Sequence, residues 1–280
     1  MKMAFISQEG KTAVIARYEK ILEDLSVPCE QIFIPTRYGS TFALTAGKAQ
    51  VQTVILLHGS SMNSAMWLND IAALSYRYRV IALDIPGEPG KSDERQLPLD
   101  SDDYACWLSE VLSVLKIQRT VLIGNSLGAW IALKFSVLYP EAVEKLVLLA
   151  PAGIGSQNPE FAVRAMELLP KGDAGVTELL TEINGGAAIP EGQLEYQKLI
   201  ASVFNGRQEI IPLFTDQEIK RLSMPCAVFL GGKDIMIRSH ETRDRLLRLI
   251  PHCIVKMYPE KGHSITGMEQ VILDFLQSTS

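Results

Sequence analysis

Hydrophobic positions along the chain follow two rhythms. Between residues 11 and 25, Val14, Tyr18, Ile21, Leu22 and Leu25 recur at helical spacing. Between Glu30 and Ala46 the period shortens to two: Ile32 and Ile34, then Phe42 and Leu44, alternate with other residues around a turn at Tyr38-Gly39-Ser40. Beyond that, short unbroken apolar runs take turns with amphipathic stretches. Residues 51–57, 80–83, 120–123 and 145–149 predict buried strands. Residues 64–76, 101–115 and 127–138 predict helices, the last stopped near Pro140.

Continuous apolar strands alternating with helices imply a parallel sheet covered on both faces. Right-handed crossovers then place the C-terminal ends of the strands along one edge, where ligands bind in such sheets. The rhythm stops between about Ala152 and Thr215. That stretch carries glycines, prolines and three short helical patterns (159–169, 176–183 and 192–204), with no apolar strand, and it is too long for a plain loop. It predicts a helical cap, residues 152–215, lying over the strand ends and inserted into a core made of 1–151 and 216–280. The alternation resumes with strands at 226–230 and 254–258 and helices at 239–250 and 268–276.

Composition narrows the field. With 280 residues, 47% hydrophobic and 21% charged, the chain can bury a large core. Its net charge of −5 and scattered lysines and arginines argue against a nucleic-acid partner. No run approaches the ~20 apolar residues needed to span a bilayer, so no membrane partner is expected. The N-terminal apolar run is too short for a signal peptide, and Cys29, Cys106, Cys226 and Cys253 form no Cys-x-x-Cys pair. Free thiols and a cytoplasmic location are the expectation. No phosphate-binding glycine loop and no metal-ligand spacing is present, so neither cofactor nor metal is expected.

The candidate chemistry centres on Gly124-Asn125-Ser126-Leu127-Gly128, set between a strand and a helix. A serine on such a turn exposes its hydroxyl, and the helix N-terminus behind it offers free N–H groups. A hydroxyl needs a base within reach. Of the four histidines, His263 follows the last strand, on the ligand-binding edge. His252 falls at the opposite edge, His240 near a helix start, and His58 at the end of an earlier strand, followed by a polar loop. Asp234, directly after the preceding strand, supplies an orienting acid, giving the chain order Ser, Asp, His. For an oxyanion, the backbone N–H of Leu127 is one donor. The second is assigned to the loop after His58-Gly59, at Ser60 or Ser61. Met62, Met66, Trp67, Trp130 and Met236 lie near this edge and are candidates for an apolar pocket, although core packing is the commoner reason for such residues.

On His58-Gly59, the loop from Asp84 to Ser92, the elbow at Gly124 to Gly128, Asp234 and Gly262-His263, the chain resembles the α/β-hydrolase fold superfamily over nearly its whole length. It looks most like small bacterial carboxylesterase-like members. The resemblance implies an eight-stranded, mostly parallel sheet with a helical cap after the sixth strand. It also implies hydrolysis of a small acyl substrate through an acyl-enzyme. Ala129 stands where many relatives have glycine. A serine nucleophile argues against the dehalogenase and epoxide hydrolase branches, which use aspartate. The Asn125 form of the elbow also occurs among hydrolases of carbon–carbon bonds in ring-fission products, so that chemistry stays open beside ester, thioester and amide cleavage. A catalytically silent binding member of the fold is the reading from another class. Asp84 reads as a structural group that bonds nearby backbone.

Overall fold

A computed structural model describes residues 4–207 and 209–278; the N-terminal reading rests partly on residues 1–3, outside that range. Helix α1 (Gln8–Glu23) starts three residues earlier than its apolar stripe suggests, because the Ser7 hydroxyl accepts the Gly10 N–H and caps it. Val14, Tyr18 and Leu22 are its buried face.

The strands are β1 (Cys29–Thr36), β2 (Gly39–Ala46), β3 (Thr53–Leu57), β4 (Arg79–Leu83), β5 (Thr120–Asn125), β6 (Val143–Leu149), β7 (Cys226–Gly231) and β8 (Ile254–Tyr258). They form one eight-stranded sheet in the order β1-β2-β4-β3-β5-β6-β7-β8. The β1–β2 hairpin is antiparallel and joins β4 antiparallel, while every other pairing is parallel. Its turn falls at Arg37-Tyr38, one residue before the predicted centre, and Gly39 opens β2 with φ +105°. Strands β3, β5 and β7 are buried along their whole length, which explains their unbroken apolar runs.

Flanking the sheet are α2 (Leu68–Leu74), α3 (Asp103–Val114) and α4 (Leu127–Leu138), with α9 (Ser239–Leu249) and α10 (Glu269–Gln277) later in the chain. Residues 64–67, expected as the first turn of a longer helix, instead form a 3-10 turn capped by the Asn63 carboxamide. Between β6 and β7 lie α5 (Pro159–Leu168), α6 (Asp173–Ile183), α7 (Glu191–Val203) and the short α8 (Asp216–Ile219). Here the N-terminus joins in. Phe5 bridges to Phe204 with the rings edge-on, the Ile6 N–H donates to the Val203 carbonyl at 2.8 Å, and Gly10 lies against Val203.

Register fixes what meets what. Leu57 pairs with Gly124, Asn125 with Leu149, Leu149 with Phe229, and Gly231 with Tyr258. The residues that follow these strands therefore line one edge, in the row His58, Ser126, Ala150, Gly232 and Pro259. Among the described residues no helix is long and apolar enough to cross a membrane, and the four cysteines carry no disulfide.

Candidate active site

Ser126 sits between β5 and α4 with φ +50° and ψ −109°, a conformation that side-chain-bearing residues rarely adopt and that costs on the order of 1–3 kcal/mol. Its surroundings hold it there. The Ser126 N–H donates to the Leu149 carbonyl at 2.9 Å, and the Ser126 carbonyl accepts the Trp130 N–H at 3.0 Å. The glycines of the elbow are needed for space. A Cβ on Gly128 would come within 2.1 Å of the Leu57 carbonyl oxygen, and one on Gly124 within 2.5 Å of the Gly128 carbonyl oxygen. The turn is thus pressed between β3 and its own helix.

Two loops along the same edge bring the partners. His263 Nε2 lies 2.9 Å from Ser126 Oγ, and its Nδ1 lies 2.8 Å from Asp234 Oδ2. A carboxylate only accepts, so Nδ1 carries the proton and Nε2 faces the hydroxyl as an acceptor. The other carboxylate oxygen, Asp234 Oδ1, accepts the N–H groups of Met236 at 2.7 Å and Ile237 at 3.0 Å. The aspartate is thereby held by its own loop. The Asp234 side chain is fully enclosed, and His263 is buried. The His263 N–H donates to the Ile183 carbonyl at the end of α6 (2.8 Å), and a Cβ on Gly262 would come within 2.3 Å of that same oxygen. The histidine loop therefore rests on the helical insertion.

On the other side of Ser126 runs the loop from His58 to Asn63. His58 is completely buried, and burial lowers its pKa. Its Nε2 accepts the Ile85 N–H at 2.9 Å, so the neutral ring donates from Nδ1 to the Gly59 carbonyl at 2.8 Å. A trans peptide points its C=O and N–H in opposite directions, so this bond orients the Ser60 N–H. The Ser61 N–H is committed elsewhere, donating to Glu88 Oε2 at 2.7 Å. Of the two candidate second donors, Ser60 is the one whose N–H lacks that engagement. A Cβ on Gly59 would lie 3.6 Å from the Ser126 Cβ, so this loop passes directly beside the serine. Leu127, first residue of α4, has no intrahelical acceptor for its N–H.

The pocket candidates divide. Trp67 is 1% exposed and packs into the core, and Trp130 donates through Nε1 to the Pro212 carbonyl at 3.0 Å while packing on Phe214. Met62, Met66 and Met236 are half-buried, with Met62 touching Gln197 of α7. Asp84 behaves as expected. Its carboxylate accepts from the Tyr18 hydroxyl and from the Ser64 and Lys91 N–H groups, bracing the loop beneath the site. His240 is exposed, near the start of α9, and His252 is exposed at the opposite end of the sheet, before β8. Sequence reasoning misses Glu88 and Arg207. Glu88 stands as a lone acid in Pro86-Gly87-Glu88-Pro89-Gly90, where no local pattern marks it, and nothing around Arg207 signals a buried partner.

A serine hydrogen-bonded to a histidine, itself bonded to an enclosed carboxylate, with two backbone N–H groups nearby, is equipped for attack on a carbonyl carbon. The alpha/beta hydrolase family model matches residues 54–274, which is most of the chain. The chain belongs to the α/β-hydrolase family. This α/β hydrolase is 27% identical to carboxylesterase YbfK of Bacillus subtilis over 98% of its own length and 97% of the relative's. The crystal structure of that carboxylesterase superposes with a TM-score of 0.85, covering 96% of this chain and 99% of the other. The naproxen esterase of Bacillus subtilis superposes with a TM-score of 0.83 at 25% identity, covering 97% of each. A 2-hydroxy-6-oxo-2,4-heptadienoate hydrolase of Pseudomonas putida is 26% identical over 80% of this chain and 88% of its own. The protein is thus an esterase-like α/β hydrolase.

Proposed function

We propose that this hydrolase cleaves carboxylic esters of small, mainly apolar compounds through an acyl-enzyme on Ser126. The observation that carries the reading is the hydrogen-bonded relay from Ser126 through His263 to Asp234. In the first step Ser126 Oγ attacks the carbonyl carbon while its proton passes to His263 Nε2. Asp234 holds the imidazole in the required tautomer and stabilises its cation. The Leu127 and Ser60 N–H groups receive the negative oxygen of the tetrahedral intermediate. The imidazolium then protonates the departing alkoxide. Water, deprotonated by the same histidine, releases the acid. The helical segment 152–215 acts in this reading as the cap that selects the acyl group. The similarity to the naproxen esterase makes an ester of a bulky apolar acid the first substrate to try.

The test is p-nitrophenyl ester turnover by Ser126→Ala, together with mass-spectrometric detection of a fluorophosphonate adduct on Ser126 in the unaltered protein. The expected result is loss of turnover by a factor of about 10⁴ or more in a folded variant, and labelling confined to Ser126. Turnover retained by the variant refutes the reading, and an unlabelled, inactive wild type points to a silent binding protein. The similarity to the Pseudomonas hydrolase supports a second reading, hydrolysis of a carbon–carbon bond with the same residues. Activity on a vinylogous diketone with little on simple esters would favour it.

A further inference from the structure

The Glu88 carboxylate is enclosed at 1% exposure, far from the triad in the chain, yet bonded to the loop beside Ser126. One oxygen accepts the Ser61 N–H at 2.7 Å, and the other faces Arg207 Nε at 3.2 Å. Arg207 belongs to the segment that follows α7, its side chain is only 5% exposed, and it lies 119 residues beyond Glu88. The guanidinium is fixed on its other sides. It donates to the Leu97 carbonyl at 3.0 Å, to Glu209 Oε2 at 3.0 Å and to the Tyr104 hydroxyl, and it lies over the Tyr104 ring. Removing an ion pair from water is costly, so the pair is no evidence of added stability by itself.

We propose that Glu88 and Arg207 are positioning residues for acyl transfer: by holding the Ser61 N–H they aim the neighbouring Ser60 N–H at the oxyanion. The proposal rests on the serine-hydrolase reading above.

The backbone explains why such a hold is required. Ser61 has φ +58°, a left-handed conformation that a serine does not keep without support. The two peptide planes on either side of the Ser60 Cα are each tied at one end. His58 holds the Gly59 carbonyl of the first, and Glu88 holds the Ser61 N–H of the second. The Ser60 N–H lies in the first plane, and the second anchor fixes the Ser60 torsions that join that plane to the rest of the loop, so with both in place the N–H keeps one direction. Releasing the second anchor frees rotation about the Ser60 bonds. The donor then has to be re-ordered each time negative charge develops on the substrate oxygen, and a preorganised donor avoids that cost. Because Arg207 is the clamp on Glu88, the segment returning from the helical insertion sets the donor's aim.

The experiment compares kcat and KM for a p-nitrophenyl ester in wild type, Glu88→Ala, Glu88→Gln, Arg207→Met and the double variant Glu88→Ala/Arg207→Met, with Ser126→Ala alongside and thermal melts for each. Removal of a whole oxyanion donor lowers kcat by a factor of about 100 or more, so mis-aiming one in Glu88→Ala lowers it by about 10–50, with KM changed less than about three-fold. Glu88→Gln keeps an acceptor for Ser61 and restores most of kcat. Arg207→Met shifts kcat in the same direction, and the double variant is no slower than Glu88→Ala, since both act through one bond. A folded Glu88→Ala with wild-type kcat, a loss carried by KM, or Glu88→Gln as slow as Glu88→Ala overturns the proposal. If Glu88→Ala does not fold, the Gln and Met variants decide. A wild-type rate in Arg207→Met, or a Glu88→Gln as slow as Arg207→Met, then overturns it, and a lower kcat in Arg207→Met beside a near-wild-type kcat in Glu88→Gln supports it. Turnover surviving in Ser126→Ala would sink the hydrolase reading instead, whatever the Glu88 variants do.

Discussion

At the scale of single residues, the site combines groups held under strain with groups held at electrostatic cost. Ser126 is forced into its turn by bonds to Leu149 and Trp130, and Glu88 is forced out of water. Burial pushes the Glu88 carboxyl up to about 7 from an ordinary value of 4.5, against the opposing pull of Arg207 and the Ser61 N–H. Tyr104 and Glu209 also lie close to the pair. Because the folded value is raised, this group's contribution to stability is complete below pH 4.5 and disappears as pH rises through 7. The effect amounts to about 3 kcal/mol over that window. Thermal melts of wild type and Glu88→Gln from pH 5 to pH 8 should therefore diverge, the variant gaining in relative stability as pH rises. Parallel curves would show that the buried carboxyl does not titrate there. Ser126, Asp234 and His263 are legible in the sequence because Ser126 directly follows β5 and the other two stand in the short loops just past β7 and β8, strands whose ends are visible. Glu88 and Arg207 are not, since irregular segments carry no period and their partnership exists only in three dimensions.

Elements differ in how firmly they are built. Strands β3 and β5 are buried at every position, whereas α5 buries only Leu168, and Val163 and Met166 on it stand 63% and 70% exposed. Much of the α5–α6 pairing runs through Arg164, which bonds Glu178 and Glu182 near the surface, where salt screens such pairs. Amide hydrogen exchange should therefore be faster in α5 and α6 than in β3 and β5, and faster still in high salt. Equal protection in the two groups would contradict this account of the insertion. The strands and most helix centres can be read from periodicity. Helix ends shift by a turn or less where a cap intervenes, as at Ser7. Residues 64–67 tighten into a 3-10 turn because Asn63 caps them from outside the apolar pattern.

For the whole molecule, the helical insertion meets the site on both flanks, through Ile183 at the His263 loop and through Arg207, by way of Glu88, at the His58–Asn63 loop. The N-terminal segment grips the same insertion at Phe204 and Val203. A variant lacking residues 1–10 should lose thermal stability and kcat together, although Ser126, Asp234 and His263 are all retained. Unchanged kinetics would show that this grip does not reach the site. None of these long-range ties is written in the local pattern, which reports the layers and not the joints between them.

Chain order and sheet order also have a consequence for biosynthesis. The serine is placed on a central strand, and the histidine that would activate it lies 137 residues later, beyond the outermost parallel strand. During translation Ser126 emerges long before His263. On the proposed mechanism, a nascent chain folded only as far as β5 lacks its base, and turnover has to wait until the last strand docks.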